Sequence, residues 1–287
     1  MKEGIIMFLL ENTYVIGDIH GSWKPIRDFY NRNKDKINFD RDTHVLILLG
    51  DAGLNYFKNE RDDQIKRELS RFPFTYFVIR GNHEERPSVC MEENPDDWEF
   101  EAFFNGAVRV EKKYPYIKYA DDGAALYRIP YQNGEQKYRL TGEMIPHYDY
   151  LKVLTLPGAY SVDKEYRQLM GYSWFPGEQM TTEEMNYAKQ LVSEIKHCDI
   201  VFSHTGPCCY EPTDLFLPFV DQSKVDKSME QLLGAIEFVL DYDLWMWGHY
   251  HAYRDYPHND GRGKRIMLFQ EVVSLYQVVN EDTVEVL

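Results

Sequence analysis

The sequence predicts an α/β fold in which β-sheets are covered by helices, and two kinds of segment support this prediction. Short apolar runs, rich in β-branched and aromatic side chains, lack the polar alternation of half-exposed strands and are typical of strands buried on both faces. Amphipathic segments with helical periodicity lie between these runs. Because the two kinds of segment alternate along the chain, sheets flanked by helices are expected.

Five of the apolar runs end next to residues that can bind a metal ion. The predicted strands are residues 13–17, 44–50, 75–79, 199–203 and 243–248. The polar residues that follow them, in the same order, are Asp18 and His20, then Asp51, then Asn82 and His83, then His204, and finally His249 and His251. Ligands of open α/β sheets bind beyond the carboxyl ends of the strands, so we expect these side chains to lie together.

Helix signals frame the predicted strands. The segments expected to be helical are residues 22–33, 59–71, 181–196 and 226–240. Ser22 is a candidate N-cap for the first of them, and Pro25 falls in its first turn. Thr181 and Glu184 have the spacing of a capping box at the start of the third.

The middle and the end of the chain predict additional strands. Residues 113–160 have the pattern of short strands and turns, with Asn133 and Gly134 as a candidate hairpin turn. Residues 266–279 predict two more strands. We expect residues 85–150 and 206–225 to be excursions that pass over the site.

Composition narrows the class of protein. A chain of 287 residues is long enough for one large domain, and we predict a single domain over residues 1–287. Its net charge of −15 repels the backbone of long duplex nucleic acid, which is therefore not an expected partner. Four cysteines without a CxxC pair indicate free thiols and a cytoplasmic location. The apolar run at residues 4–10 is too short to span a membrane.

The types of polar residue at the strand ends indicate a centre with more than one metal ion. Carboxylate and imidazole ligands suit divalent ions such as manganese, iron or zinc. The set is larger than one ion needs, and a carboxylate such as Asp51 can bridge two ions. Pairs of ions about 3.5–4 Å apart serve enzymes that displace a group from a phosphoester.

These residues also form motifs that resemble the five sequence blocks of the calcineurin-like metallophosphoesterase family. The blocks, which occur in the family's order between residues 14 and 251, are Gly17-Asp-Ile-His-Gly21, Gly50-Asp51, Arg80-Gly-Asn-His-Glu84, Ser203-His204 and Gly248-His-Tyr-His251. The resemblance implies a four-layer α-β-β-α sandwich, with two mixed sheets flanked by helices and a dinuclear metal site at the carboxyl ends of the strands.

The resemblance also implies roles for individual residues. The first metal ion would be held by Asp18, His20 and His251, the second by Asn82, His204 and His249, and Asp51 would bridge them. His83 would face the leaving group as a catalytic acid, and Arg80 is a candidate phosphate contact. The implied cofactors are two divalent ions, with manganese the first expectation and iron, zinc or nickel the alternatives. The implied reaction is phosphoester hydrolysis by water that the two ions activate.

One block departs from the protein Ser/Thr phosphatase branch of the family. That branch has Gly-Asp-x-Val-Asp-Arg-Gly, whereas this chain has Gly50-Asp-Ala-Gly-Leu-Asn-Tyr56. Leu54 replaces the Asp that orients the catalytic histidine, and Asn55 replaces an Arg that binds phosphate. The change counts against a protein Ser/Thr phosphatase. The segments 157–163 and 174–179 resemble uncharacterised bacterial and phage-type members of the family.

Several functions therefore stay open at this point. The first is hydrolysis of a small phosphorylated or nucleotide substrate. The second is a phosphodiesterase that acts on a cyclic nucleotide, a dinucleotide or a short oligonucleotide. The third is a non-catalytic scaffold, which would predict a broken ligand set. A group of tyrosines belongs either to the core or to a stacking wall for a nucleobase, namely Tyr114, Tyr116, Tyr119, Tyr127, Tyr131 and Tyr138.

Overall fold

A computed structural model of the chain describes residues 8–137, 144–257, 261–281 and 284–287. The strands in these ranges are β1 (Thr13–Ile16), β2 (Val45–Leu49), β3 (Thr75–Ile79), β4 (Trp98–Phe103), β5 (Gly106–Glu111), β6 (Ile117–Tyr119), β7 (Ala125–Lys137), β8 (Met144–Leu156), β9 (His197–Ser203), β10 (Asp241–Trp247), β11 (Arg254–Tyr256), β12 (Lys264–Met267) and β13 (Val272–Ser274). The helices are α1 (Lys24–Asn33), α2 (Glu60–Leu69), α3 (Pro87–Glu93), α4 (Lys164–Met170), α5 (Thr182–Ile195), α6 (Ser228–Val239) and α7 (Leu275–Asn280).

The strands form two mixed sheets. The first sheet has the order β13-β1-β2-β3-β6-β5-β4, and the second has the order β11-β12-β10-β9-β8-β7. In the first sheet β1, β2 and β3 are parallel. In the second β8, β9 and β10 are parallel. Their carboxyl ends therefore meet at one edge of each sheet, where the polar residues follow.

The core has three layers of apolar contact, which establish the predicted four-layer sandwich. Between the sheets, buried side chains of both sheets pack together, among them Ile47, Phe77 and Phe202. The outer face of the first sheet packs against α1 through Phe29, and that of the second packs against α5 through Val192. Burial of a large apolar side chain stabilises the fold by about 1.5–3 kcal/mol, so these faces hold the layers together.

The local sequence signals have mixed outcomes. The five strands that lead to the candidate site are present, with ends shifted by at most two residues. The capping box of Thr181 and Glu184 is confirmed at the start of α5. Ser22 is not an N-cap, because α1 begins at Lys24 and no side chain caps it. Pro25 does lie in its first turn.

The interpretation of residues 85–150 as an excursion is wrong, because this segment contributes strands to both sheets. β4, β5 and β6 extend the first sheet, and β7 and β8 form one side of the second. Asn133 and Gly134 are not a hairpin turn but lie within β7, where its register against β8 shifts between Gln132 and Glu135. A left-handed φ of 70° at Gly134 accommodates this bulge.

The remaining predictions concern the ends of the chain and one loop. Residues 266–279 contain the two expected strands, the end of β12 and all of β13, and then continue as α7. The segment 206–225 consists of short 3-10 turns and irregular backbone, and part of it lines the candidate site. The apolar run at residues 4–10 begins outside the described residues. No helix in the described ranges has the length and apolar character needed to cross a membrane.

Candidate metal centre

The carboxyl ends of five strands bring the candidate ligands together. All seven residues that the sequence singled out as ligands follow β1, β2, β3, β9 or β10 by no more than a short turn, namely Asp18, His20, Asp51, Asn82, His204, His249 and His251. Their polar atoms fall into two groups that adjoin at Asp51.

The first group contains Asp18, His20 and His251. The Nε2 atoms of the two histidines are 2.8 Å apart, and Asp18 Oδ2 lies 3.4 Å from His251 Nε2 and 3.9 Å from His20 Nε2. Asp18 is fully buried, and its Oδ2 has no hydrogen-bond partner in the described part of the chain. A buried carboxylate oxygen without a partner is costly, so this donor set fits a divalent cation.

The second group contains Asn82, His204 and His249. Asn82 Oδ1 lies 2.8 Å from His204 Nε2 and 3.1 Å from His249 Nδ1. His204 Nδ1 donates a hydrogen bond of 2.8 Å to the carbonyl of Leu49, which leaves the lone pair of Nε2 directed at the group. Such a bond fixes the imidazole tautomer that ligates a metal ion.

Asp51 lies between the two groups. Its Oδ1 is 3.4 Å from His204 Nε2, and its Oδ2 is 4.0 Å from His20 Nε2. The backbone N–H of His83 donates to Oδ1 at 2.7 Å and holds the carboxylate in this orientation. One carboxylate is therefore within reach of both groups, as the assignment of a bridging ligand requires.

The charges of the site also fit a bound cation. Burial lowers the pKa of His249 to about 3, so this imidazole is neutral and able to ligate. At His204 burial is outweighed by the carboxylates of Asp51 and Asp18, which raise the pKa of the imidazole to about 9. The buried carboxylates thus attract a proton onto His204 when no other cation is near. A metal ion would displace that proton, as binding to histidine ligands generally does.

The backbone around the ligands is strained. His20, Asp51, His249 and His251 have φ angles of 46°, 46°, 71° and 52°, in the left-handed region that residues with a side chain rarely adopt. Strain of this kind costs on the order of 1–3 kcal/mol per residue and clusters at functional sites. The backbone of Gly50 also lies close to the ring of His204, because a Cβ at this position would be 2.1 Å from His204 Nδ1. The chain thus gives up stability to hold this arrangement.

A buried hydrogen-bond network orients Asn82. Its Nδ2 donates to Ser161 Oγ at 2.9 Å, and Ser161 Oγ in turn donates to Glu178 Oε2 at 2.6 Å. Arg167 also donates to Ser161 Oγ, and Trp174 donates to Glu178. Because the amide nitrogen is engaged by Ser161, the amide oxygen must face the histidines. Sequence reasoning noticed the segments 157–163 and 174–179 but assigned no role to these residues.

Substitution of Ser161 by alanine is expected to weaken metal binding roughly tenfold to hundredfold, because the orientation of Asn82 would no longer be fixed. Titration of the purified variant with Mn²⁺ against a competing chelator measures this effect, with thermal unfolding as a check on folding. Ser193→Ala, at an exposed serine of α5, is the matched control. Unchanged affinity in a folded Ser161→Ala variant would show that the network does not position the ligand.

His83 lies beside the two groups of candidate ligands and faces a cavity. Its ring is 5.1 Å from that of His20 and nearly parallel to the ring of Tyr56 at 6.3 Å. Burial lowers the pKa of His83. The carboxylate of Asp51 opposes this effect, whereas the positive charge of Arg167 lowers the pKa further. The position of His83 next to the cavity is compatible with contact to a leaving group.

The two residues that depart from the protein-phosphatase pattern do not face the cavity. Leu54 is fully buried in the apolar layer beneath α1. Asn55 is also buried, and its Oδ1 accepts a hydrogen bond from Lys66 Nζ at 3.0 Å. Neither residue therefore orients His83 or contacts phosphate. The geometry gives no support to a protein Ser/Thr phosphatase.

The interpretation of Arg80 as a phosphate contact is not supported by its position. The side chain is 2% exposed, and its guanidinium donates to the carbonyl of Glu178 at 2.7 Å and to that of Gly81 at 3.1 Å. Its backbone carbonyl accepts a hydrogen bond from the N–H of Gly158. Arg80 thus fastens the segment that carries Ser161 and Glu178 to the end of β3.

Of the two alternatives for the tyrosine group, the structure supports packing in or against the core and not a stacking wall, for the residues that it describes. Tyr114, Tyr119 and Tyr127 are buried among core side chains. Tyr116 stacks against the guanidinium of Arg41, and Tyr131 packs against the core. Tyr138 lies outside the described residues. The tyrosine and phenylalanine side chains that line the cavity, among the described residues, are instead Tyr160, Phe216 and Tyr250.

Experimental structures of other proteins resemble this chain. A protein of Thermus thermophilus is 12% identical, with a TM-score of 0.47 over 95% of this chain and 96% of that chain. A dimetal phosphatase from Danio rerio is 11% identical, with a TM-score of 0.45 over 92% of each chain. A phosphopantetheinyl hydrolase of Mycobacterium tuberculosis is 13% identical, with a TM-score of 0.43 over 90% of this chain and 89% of that chain.

Comparison of sequences gives two results. No curated protein sequence matches this chain significantly. The sequence model of the calcineurin-like phosphoesterase family matches residues 12–253. That range covers most of the chain and includes every candidate metal ligand.

Proposed function

The chain belongs to the calcineurin-like phosphoesterase family and is a metallophosphoesterase, and from that premise we propose that it hydrolyses small phosphoesters at a centre of two metal ions. The observation that carries the proposal is the convergence of seven candidate ligands from five strand ends. The buried and unpartnered oxygen of Asp18 within this set supports it further. A scaffold without catalysis would not need a complete and strained set of ligands.

We propose that Asp18, His20 and His251 hold one ion, that Asn82, His204 and His249 hold the other, and that Asp51 contacts both. When bound, such ions lower the pKa of a water molecule and neutralise negative charge on the phosphoryl oxygens. We propose manganese as the metal, with iron, zinc and nickel as alternatives, because the mixture of carboxylate, amide and imidazole donors is compatible with each of these divalent ions.

In the reaction, the water molecule releases one proton to solvent, its oxygen forms a bond to phosphorus, and the bond from phosphorus to the ester oxygen breaks. The electron pair of the broken bond stays on the ester oxygen, which takes up a proton. We assign the donation of that proton to a ring nitrogen of His83. Burial lowers the pKa of this imidazole, whereas Asp51 and the charge of a bound phosphate favour its protonated form.

A phosphodiesterase is the second candidate, and the scarcity of lysine and arginine side chains in the cavity lining favours it. Lys227 is the only lysine among the described residues that line the cavity, and none of these residues is an arginine. A phosphomonoester dianion is usually bound by arginine in a bidentate manner, whereas a diester carries a single negative charge and needs less compensation. Both candidates use the same proposed metal centre.

Assays with p-nitrophenyl phosphate and bis-p-nitrophenyl phosphate test both candidates. We expect turnover that requires added Mn²⁺, is lost on treatment with a chelator and returns when Mn²⁺ is restored. Preference for the first substrate would assign a monoesterase, and preference for the second a diesterase. A protein that binds two ions per chain but turns over neither compound would contradict the proposed function and favour the scaffold.

We also propose a cytoplasmic location and no long duplex nucleic acid as partner. All four cysteines are free thiols, as is usual in a reducing compartment. A net charge of −15 disfavours binding to an extended phosphate backbone.

A further inference from the structure

We propose that the cavity beside the metal centre binds an uncharged, aromatic or otherwise apolar group of the substrate ester. This inference rests on the proposed function and names the class of substrate that the site prefers. The cavity has a volume of about 360 Å³, which is enough for a small ligand. Its lining includes Asp51, Asn82, His249 and His251, so it opens directly onto the candidate ligands of both ions.

Much of the cavity wall is apolar. The segment between β9 and α6 contributes Leu215, Phe216, Leu217, Val220 and Val225 to it. Leu215 and Leu217 are 40% and 47% exposed, although they are large apolar side chains. Exposed apolar side chains that line one cavity indicate a surface that a ligand covers.

Aromatic rings join this wall to the metal centre. The rings of Phe216 and Tyr250 are nearly parallel, with an interplanar angle of 24° and centroids 6.4 Å apart. Tyr250 stands between His249 and His251 in the sequence, and its hydroxyl lies 3.2 Å from Thr205 Oγ1. A phosphoryl group held at the metal centre would therefore place its ester group against these rings.

The charges of the cavity disfavour a second anionic group on the substrate. The ammonium of Lys227 is 2.8 Å from Glu211 Oε2 and 5.0 Å from the centre of the Phe216 ring, so its charge is already compensated. Asp163 and Glu230 add acidic side chains to the lining. An anionic substituent in the ester group would meet these carboxylates without a free cation in the described lining to balance it.

Binding of phosphonates to the Mn²⁺-loaded protein tests the proposal without turnover. The probes are methylphosphonate, phenylphosphonate and 4-carboxyphenylphosphonate, measured by calorimetry. All three carry the same anchor for the metal centre and differ only in the group that enters the cavity. We expect phenylphosphonate to bind roughly tenfold or more tightly than methylphosphonate because of the apolar surface it buries. The added carboxylate of the third probe is expected to remove most of that advantage.

Substitutions in the apolar wall separate the cavity from the metal centre. Phe216→Ala is expected to reduce the advantage of phenylphosphonate over methylphosphonate severalfold, with the affinity for methylphosphonate little changed. Leu217→Glu is a second variant at a half-exposed position, and its new charge should have the same effect. Phe219→Ala is the matched control, because Phe219 is on the same segment, is 80% exposed and is absent from the cavity lining.

Three patterns would overturn the inference, and they can be told apart. Equal affinity for all three probes, or tightest binding of the carboxylated probe, would show that the cavity does not select an apolar group while the metal centre still binds phosphonate. Failure of every probe to bind a protein that holds two ions would contradict the proposed function as well. A phenyl advantage that Phe216→Ala and Leu217→Glu leave intact would place the aryl group elsewhere.

Discussion

Substitution of Asp51 by asparagine is expected to reduce turnover by on the order of 10³-fold or more. The two oxygens of Asp51 face different groups of candidate ligands, Oδ1 towards His204 and Oδ2 towards His20. Asparagine is nearly the same size, but its side chain offers one uncharged oxygen and an amide NH2 group, whose hydrogens repel a cation. One substitution would therefore weaken the binding of both ions.

The measurement combines Mn²⁺-dependent hydrolysis of p-nitrophenyl phosphate or its bis ester with the metal content of the dialysed protein. We expect the Asp51→Asn variant to retain fewer than two ions per chain. Asp35→Asn, at an exposed carboxylate next to the end of α1, is the matched control and should leave both quantities unchanged. Near-normal turnover of Asp51→Asn with two bound ions would refute the assignment of a shared ligand.

Substitution of His83 by alanine is expected to lower turnover roughly 10²–10⁴-fold for esters of poor leaving groups, since general acid catalysis typically contributes that much. The loss should be much smaller for p-nitrophenyl esters, because p-nitrophenolate departs without needing a proton. Metal content should stay at two ions per chain, because His83 is not among the proposed ligands. A series of aryl esters with rising leaving-group pKa measures the effect as a change in slope.

His147→Ala is the control for this substitution. His147 lies near the start of β8, at the end of that strand opposite to its carboxyl end, and is partly exposed. An equal loss on every leaving group would argue that His83 binds the phosphoryl group or supports the ligands instead of donating a proton. His83 lies close to His20 and Asp51. Loss of metal from the His83→Ala variant would therefore assign His83 to the ligand set.

Much of the fold was accessible from the sequence because its signals are local. The apolar runs that became β1, β2 and β3 have no polar alternation, and they are buried along their whole length. The capping box of Thr181 and Glu184 is a contact within four residues and forms as predicted. Polar residues placed directly after such strands must emerge at the strand ends, which is why all seven candidate ligands could be named.

Predictions failed where the outcome depends on distant parts of the chain. Asn133 and Gly134 have a turn-like sequence, but continued pairing of β7 with β8 absorbs them as a bulge. Residues 85–150 resemble a surface excursion because their sequence pattern predicts only short strands and turns, although β7 and β8 are each 13 residues long. They become sheet because the open sides of β3 and β9, by way of β6 and β8, offer backbone hydrogen bonds.

The sequence by itself determined which residues can hold metal ions and that they gather at the carboxyl ends of parallel strands. Short apolar runs indicate buried strands, and the helices between them indicate that the strands are parallel. Only the tertiary structure decided what the neighbouring residues do. Arg80 is turned into the interior by the carbonyl of Glu178, and Asn82 is oriented by Ser161. Phe216 is brought to the metal centre by a long connection between β9 and α6. The direction of a side chain depends on the segment that packs against it, and no local pattern in the sequence specifies that segment.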